Sequence, residues 1–130
     1  MKLSAKSRYA IRALIDLAAN CGGAPVSIKE IAERQKISER YLENIFNSLR
    51  KQGILKSSQG KGGGFQLNRA PEEIDLLQVI ESLEGELRIA DCVGTTSCSA
   101  MSECYAHDLW NNLNGKVKES FSRISIKDIL

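Results

Sequence analysis

Three cysteines and the chain's one histidine crowd into sixteen residues: Cys92, Cys98, Cys104 and His107, spaced C-x5-C-x5-C-x2-H. Thiolate and imidazole are the donors that zinc and iron–sulfur clusters accept. Core packing is a poor account of such a concentration. Three thiols and an imidazole satisfy tetrahedral zinc, but structural zinc sites favour paired C-x2-4-C knuckles, and the five-residue gaps here describe a longer, more open loop. A [2Fe–2S] cluster takes four protein ligands, two per iron, and this set supplies four. A thiol–disulfide switch is a third use. The residues by themselves leave all three open. Gly94 and Ser99 let the loop wrap around a bulky guest. Cys21, far away in sequence, reads as a small buried residue, not a ligand.

The donors need elements to hold them. Pro71-Glu72-Glu73 reads as a tight helical turn. Asp75 can then cap a helix bearing Leu76, Val79, Ile80 and Leu83, with Gly85 as its exit. A long final helix is expected over about Glu103 to Ile124. If it includes Cys104, then His107 lies one turn on, on the same face. Trp110, Leu113, Val117, Phe121 and Ile124 recur along it at intervals of 3, 4, 4 and 3, a heptad-like seam. A chain of 130 residues leaves little other core to cover that seam, so it predicts a two-fold homodimer.

The first half has a different pattern. Ala10, Ala13, Leu14, Leu17 and Ala18 share one face of a helix from about Ala5 to Cys21, which Gly22-Gly23-Ala24-Pro25 ends. Ser27 with Glu30 spells a capping box for a short helix from Ile28 to Gln35. Ser38 caps a third helix from about Glu39 to Gln52, stopped by Gly53. In that helix Leu42, Ile45, Phe46 and Leu49 form one stripe, and Arg40, Asn44, Asn47 and Lys51 lie opposite. The second stripe carries the side-chain types that bond base edges and phosphates. Ile54 to Ser58 and Phe65 to Asn68 read as paired strands, with four glycines in the six residues between them. This is a helix-turn-helix with a wing, and Lys61 at the wing tip can meet a phosphate or the minor groove. A nucleotide-binding loop is not expected, because a strand follows the glycines where a helix would be needed.

The expected fold is therefore mainly α with a small β-hairpin: a winged helix-turn-helix over residues 1–70, then a donor loop and dimerisation helix over residues 71–130. The charge divides at the same place. Residues 1–70 hold 13 Lys/Arg against 5 Asp/Glu, and residues 71–130 hold 5 against 11. A basic half of this kind suits nucleic acid. A dimer suits a palindromic operator in double-stranded DNA, since two recognition helices then address half-sites one helical turn apart.

Other classes fit poorly. No apolar run approaches the length needed to span a bilayer. Arg8, Arg12 and Asp16 interrupt any leader, so the expected compartment is a reducing cytoplasm, with the cysteines as thiols or metal ligands. The single histidine sits among the cysteines, and no nucleophile–base–acid set can be built around it, so an enzyme is not expected. A plain electron carrier needs neither the basic half nor the wing.

From end to end the chain resembles the Rrf-type winged-helix regulators, a family that includes cysteine regulators and nitric-oxide sensors, and within it the IscR-like iron–sulfur branch. The marks are Lys2-Leu3-Ser4-Ala5-Lys6-Ser7-Arg8-Tyr9-Ala10, Ile37-Ser38-Glu39-Arg40-Tyr41-Leu42-Glu43 and Gly60-Lys61-Gly62-Gly63-Gly64-Phe65. The C-x5-C-x5-C-x2-H run followed by Leu109-Trp110 is similar to the IscR-like branch in particular.

The resemblance implies a homodimeric regulator, usually a repressor of cluster-assembly genes. It implies a [2Fe–2S] cluster on Cys92, Cys98, Cys104 and His107, and a role for Glu43 in choosing between DNA sites. The DNA-facing set is then Ser38, Arg40, Tyr41, Glu43, Asn44, Asn47, Lys51, Gln59, Gly60 and Lys61. Lys6, Arg8 and Lys29 are further candidates for phosphate contacts.

Two departures from the pattern count. Gln59 stands where IscR-like proteins commonly carry an arginine, and a neutral side chain reads a narrow minor groove less well. Arg8 stands where some nitric-oxide sensors use an acidic ligand. A cation cannot ligate iron, which leaves Asp16 or Glu103 as the acidic groups able to contribute.

Overall fold

The computed structural model describes residues 2–94 and 101–130, so Cys98 and the expected role of Ser99 lie outside the described residues. The first helix, α1, spans Ala5–Asn20, and the Ser4 hydroxyl accepts the Ser7 N–H at its start. The second, α2, spans Ile28–Gln35 and carries the full capping box: Ser27 accepts the Glu30 N–H and Glu30 accepts the Ser27 N–H. The third, α3, spans Glu39–Lys51, with Ser38 accepting the Tyr41 N–H. Each cap satisfies backbone donors that a helix start leaves without partners. The turn between α2 and α3 depends on Lys36, held in the left-handed region at φ 56°.

The three helices close on one aliphatic core. Ala10, Ala13, Leu14 and Leu17 from α1 meet Ile31 and Ala32 from α2 and Leu42, Ile45, Phe46 and Leu49 from α3, all buried. Strands β1 (Leu55–Ser58) and β2 (Gly64–Leu67) pair antiparallel, Leu55 opposite Leu67 and Ser58 opposite Gly64. Ile54, expected from the sequence to open the strand, lies instead in the helix exit, where its N–H bonds the Leu49 carbonyl. Phe65 packs edge-on against Phe46, with centroids 5.2 Å apart. It also exchanges two backbone bonds with Val26, of 3.0 and 2.8 Å. The wing is thereby tied to the entry of α2. A side chain at Gly64 would collide with the Val26 carbonyl, so this close approach requires glycine.

The same core continues past residue 70. A short 3-10 turn at Pro71–Glu73 leads to α4 (Leu76–Glu84), capped by Asp75, whose carboxylate accepts the Gln78 N–H. Ile74 and Val79 join the core of α1–α3. A second 3-10 turn at Met101–Glu103 precedes α5, Ala106–Ser122.

Helix α5 is shorter at both ends than the sequence pattern indicates. Tyr105, its N-cap, offers no side-chain hydrogen bond, and Glu103 belongs to the separate 3-10 turn. Cys104 therefore stands before the helix, and the expected placement of Cys104 and His107 one turn apart on one helix is corrected. The two are linked through a turn closed by the His107 N–H and the Cys104 carbonyl, at 3.3 Å. At the far end the chain leaves the helix and pairs with the entry of α4. Leu76 N–H bonds the Ile124 carbonyl and Ile126 N–H bonds the Ile74 carbonyl, both at 2.9 Å. A short last helix, α6 (Ile126–Ile129), follows behind a Ser125/Asp128 capping box, with Ile126 fully buried. Among the described residues no helix is long and apolar enough to cross a membrane.

Candidate nucleic-acid interface and donor site

Helix α3 advances about 100° per residue, so Arg40, Asn44, Asn47 and Lys51 fall along one line, with Glu43 on its flank. Leu42, Ile45, Phe46 and Leu49 fall opposite and are fully buried. Arg40, Glu43, Asn44 and Lys51 are exposed, and Asn47 is half-buried. A rigid helix whose inner face is locked presents its outer face with little freedom to reorient, as groove reading requires. Ser38 is exposed and spends one lone pair on its cap, leaving its hydroxyl proton available. Tyr41 is half-buried against the ring of Tyr9 on α1 at 5.9 Å, and Arg12 lies over that same ring at 5.4 Å. Gln59, Gly60 and Lys61 are exposed at the hairpin tip, with Gly60 at φ 88°. Lys6 is half-buried; Arg8 and Lys29 are exposed.

Asp16 is not a spare ligand. Its carboxylate is buried in the α1–α2 contact and accepts bonds from Arg34, at 2.6 and 3.0 Å, from Gln35 at 2.8 Å, and from Asn20. Burial alone would push this carboxyl up. The hydrogen bonds from Arg34 and Gln35, with the Arg34 charge, outweigh that and hold it below the usual carboxylate range. Most of its acceptor capacity is used in joining α1 to α2.

The donors sit on two segments, and one face of α5 brings these together. His107, Asn111, Asn114 and Lys118 recur at i, i+4, i+7 and i+11. Asn114 is buried and grips the chain after α4 twice: its Oδ1 accepts the Ile89 N–H at 2.9 Å and its Nδ2 donates to the Leu87 carbonyl at 3.2 Å. The Glu81 carboxylate accepts the Leu87 N–H at 2.8 Å. Lys118 bridges Glu81 at 3.4 Å and Glu86 at 3.3 Å. Hydrogen bonds from Arg88 and then Lys118 hold the Glu86 carboxyl below its usual range. The segment ending in Cys92 is thus fastened along the helix that carries His107. This polar stripe went unread in the sequence because the neighbouring apolar seam dominates the pattern. A search for polar residues at helical spacing from His107 would have found it.

Cys92 is half-buried and Cys104 exposed, and neither thiol is in a disulfide among the described residues. Cys104 lines a pocket with Ser102, Glu103, Tyr105 and Asp108. His107 Nδ1 is buried with no hydrogen-bond partner among the described residues, and its Nε2 lies 3.0 Å from the amide of Asn111. Among the described residues no three Cys, His, Asp or Glu side chains converge as metal donors; the expected set has Cys98 as its middle member. The donor chemistry still fits a soft metal group. A buried imidazole nitrogen with no hydrogen-bond partner among the described residues leaves a lone pair of the kind a metal accepts, and the thiols of Cys92 and Cys104 are in no disulfide among those residues. Cys21, half-buried at the end of α1, is apart from this set in the sequence and bonds only its own helix, through the Ala18 carbonyl, among the described residues.

The expected seam is half-open. Trp110 and Leu113 are each 37% exposed and Ile124 40% exposed, while Val117 and Phe121 are half-buried. Ile124 lies beyond the end of α5.

Comparison with known proteins agrees with this architecture. Residues 3–130 match the family model Rrf2, described as iron-dependent transcriptional regulator. The chain is 36% identical over 130 residues to the HTH-type transcriptional regulator IscR of Aliivibrio salmonicida, covering all of this chain and 77% of that protein. It is 35% identical over the same length to IscR of Pectobacterium atrosepticum, covering 79% of it. Among solved structures it is similar to CymR, the global cysteine regulator of B. subtilis. The TM-score is 0.81 at 31% identity, over 99% of this chain and 95% of that one. It is also similar to T. potens IscR, with TM-score 0.77 at 36% identity, over 99% and 85%. The chain belongs to the Rrf2 family: it is a DNA-binding transcriptional regulator and not an enzyme.

Proposed function

We propose that this regulator senses iron–sulfur cluster status through a [2Fe–2S] cluster held by Cys92, Cys98, Cys104 and His107, and that it represses cluster-assembly genes. The observation that carries the reading is the buried His107 Nδ1, without a hydrogen-bond partner among the described residues, on the α5 stripe that fastens the segment leading to Cys92. When bound, such a group supplies a redox-active, oxygen-labile ligand whose presence reports cluster supply. The chain's own residues do the rest. Asn114 and Lys118 tie the 86–93 segment to α5, and α5 packs on α4, which packs on α1 and α3. A change in the donor loop thereby biases the placement of α3, in proportion to the difference in affinity of the two conformers for the ligand.

Labour divides between residues 1–70 and 71–130. In the first part Arg40, Glu43 and Asn44 read base edges, while Ser38, Tyr41, Asn47 and Lys51 complete the α3 surface. Gln59, Gly60 and Lys61 bring the wing to the backbone or minor groove. Lys6, Arg8 and Lys29 add to the positive field. In the second part Trp110, Leu113, Val117 and Phe121 pair with a second copy, so that two α3 helices meet a palindromic operator. The half-open seam supports that pairing.

The deciding experiment measures iron, acid-labile sulfide and visible absorption on protein purified without oxygen, then DNA affinity of the loaded and metal-free forms. Two irons and two sulfides per chain, with affinities that differ at one class of operator, are expected. Equal affinities at every operator would defeat the switch. Stoichiometric zinc in a colourless protein would make the cysteines a structural or thiol-sensing site instead. For the wing, Lys61→Ala should weaken binding at all sequences and lower the log-affinity against log-salt slope by about one unit; an unchanged slope removes Lys61 from the phosphate contacts.

A further inference from the structure

His107 and Asn111 stand one turn apart on α5, with the Asn111 amide nitrogen 3.0 Å from His107 Nε2. The other ring nitrogen, Nδ1, is buried and lacks a hydrogen-bond partner among the described residues. This contact can be made in two ways. A neutral imidazole carries one N–H and one lone pair, and an asparagine amide offers either NH2 or carbonyl, exchanged by a half turn of its end group. With the NH2 facing Nε2, the ring proton is forced onto Nδ1, where it is buried with no acceptor among the described residues. With the carbonyl facing Nε2, that nitrogen holds the proton and donates it to Oδ1. The Nδ1 lone pair is then bare. The second arrangement leaves no orphaned donor, and it is how ligating histidines are generally oriented, the far N–H resting on a protein oxygen.

We infer that Asn111 is a positioning residue for the donor site. Its Oδ1 accepts the His107 Nε2–H, which fixes the ring and its tautomer so that Nδ1 is the atom delivered to the metal group. This rests on the cluster reading above. The rest of the stripe agrees with it: Asn114 and Lys118, on the same face, also order the site's framework through side-chain bonds. Asn111 is exposed, and its only side-chain hydrogen bond among the described residues is the one to His107. Its replacement should therefore spare the fold.

The test uses the whole chain loaded anaerobically with iron and sulfide, the single histidine carrying nitrogen-15 at Nδ1 alone or at Nε2 alone. Pulsed EPR of the reduced protein should show the strong hyperfine coupling from the Nδ1 label and a much weaker one from the Nε2 label. A dominant Nε2 coupling, or no nitrogen coupling with two irons still held, overturns the inference. Asn111→Leu should lose iron to a chelator about tenfold faster than the unaltered chain. Asn111→Asp keeps an acceptor oxygen and has no donor, so it should restore retention. Equally fast loss from both variants, with helix content unchanged by circular dichroism, overturns it. If only zinc binds, the cluster reading fails separately. NMR of the same labels then decides the inference: a metal-shifted Nδ1 with protonated Nε2 upholds it, and the reverse overturns it.

Discussion

The two halves of the molecule hold the side chains proposed to do their work by opposite means. On α3 and the wing, Arg40, Asn44, Lys51 and Lys61 stand exposed on elements whose buried side chains are apolar: Leu42, Ile45, Phe46 and Phe65. In the second half, Cys92 is half-buried on a segment that polar groups fasten: Asn114, Glu81 and Lys118. A surface that meets a large external ligand can be built by periodicity alone, because only its inner face must fit. A site that encloses a small group must place individual atoms, and hydrogen bonds do that where apolar contact, being non-directional, does not.

That contrast can be broken at several points. Phe46→Ala should cost the most, about 3–5 kcal/mol, as lost transfer energy plus a cavity against Phe65. Denaturant unfolding measures it, and a loss below about 1 kcal/mol would mean the α3 core is not what holds the recognition surface. Asn114→Ala should cost about 2 kcal/mol by leaving Ile89 N–H and Leu87 C=O unpaired. The loss should be local: hydrogen exchange should quicken at Ile89 while amides of α3 keep their protection. Equal quickening in both regions would show that the two halves are not separately held.

Asp16 is a buried charge inside the apolar half. Its folded-state carboxyl titrates below the ordinary carboxylate range, so its contribution is fully present above that range. It is lost as pH falls from the ordinary range through the lower folded value. Asp16→Asn should cost about 1–2 kcal/mol at neutral pH and flatten that part of the acid limb. A variant with the same acid dependence as the unaltered chain would show that Asp16 has no part in it. Lys36→Gly should act in the other direction, stabilising by about 1 kcal/mol, since a non-glycine residue there bears the left-handed backbone cost. A stability curve that does not move would mean the Lys36 side chain offsets that cost by contacts of its own.

The same division explains what was legible in the sequence. Ser27 with Glu30, Ser38 and Asp75 announced their helices, because a cap is a local bond between residues two or three apart. The α5 start was misread because Tyr105 offers no capping oxygen, and without a local mark the boundary was assigned from the apolar pattern. The Ser125/Asp128 box did mark α6 locally but was overlooked, being the start of only a four-residue helix. The donor cluster stood out by residue type, yet the bonds fastening it span 25 to 32 positions, from Ile89 to Asn114 and from Glu86 to Lys118. Such pairs leave no periodic trace.

By itself, then, the order of residues determined the winged helix-turn-helix, the polar outer face of α3, the grouping of Cys92, Cys98 and Cys104 in sequence apart from Cys21, and the apolar spacing along α5. Those follow from local capping and from one-dimensional apolar spacing, which act within a few residues. Tertiary structure alone decided that Asp16 is consumed in pairing with Arg34, that Cys104 stands outside the helix of His107, and that the polar face of α5 that carries His107 also fastens the segment leading to Cys92. These depend on directional bonds between residues distant in the chain, and only folding brings such partners within hydrogen-bond range.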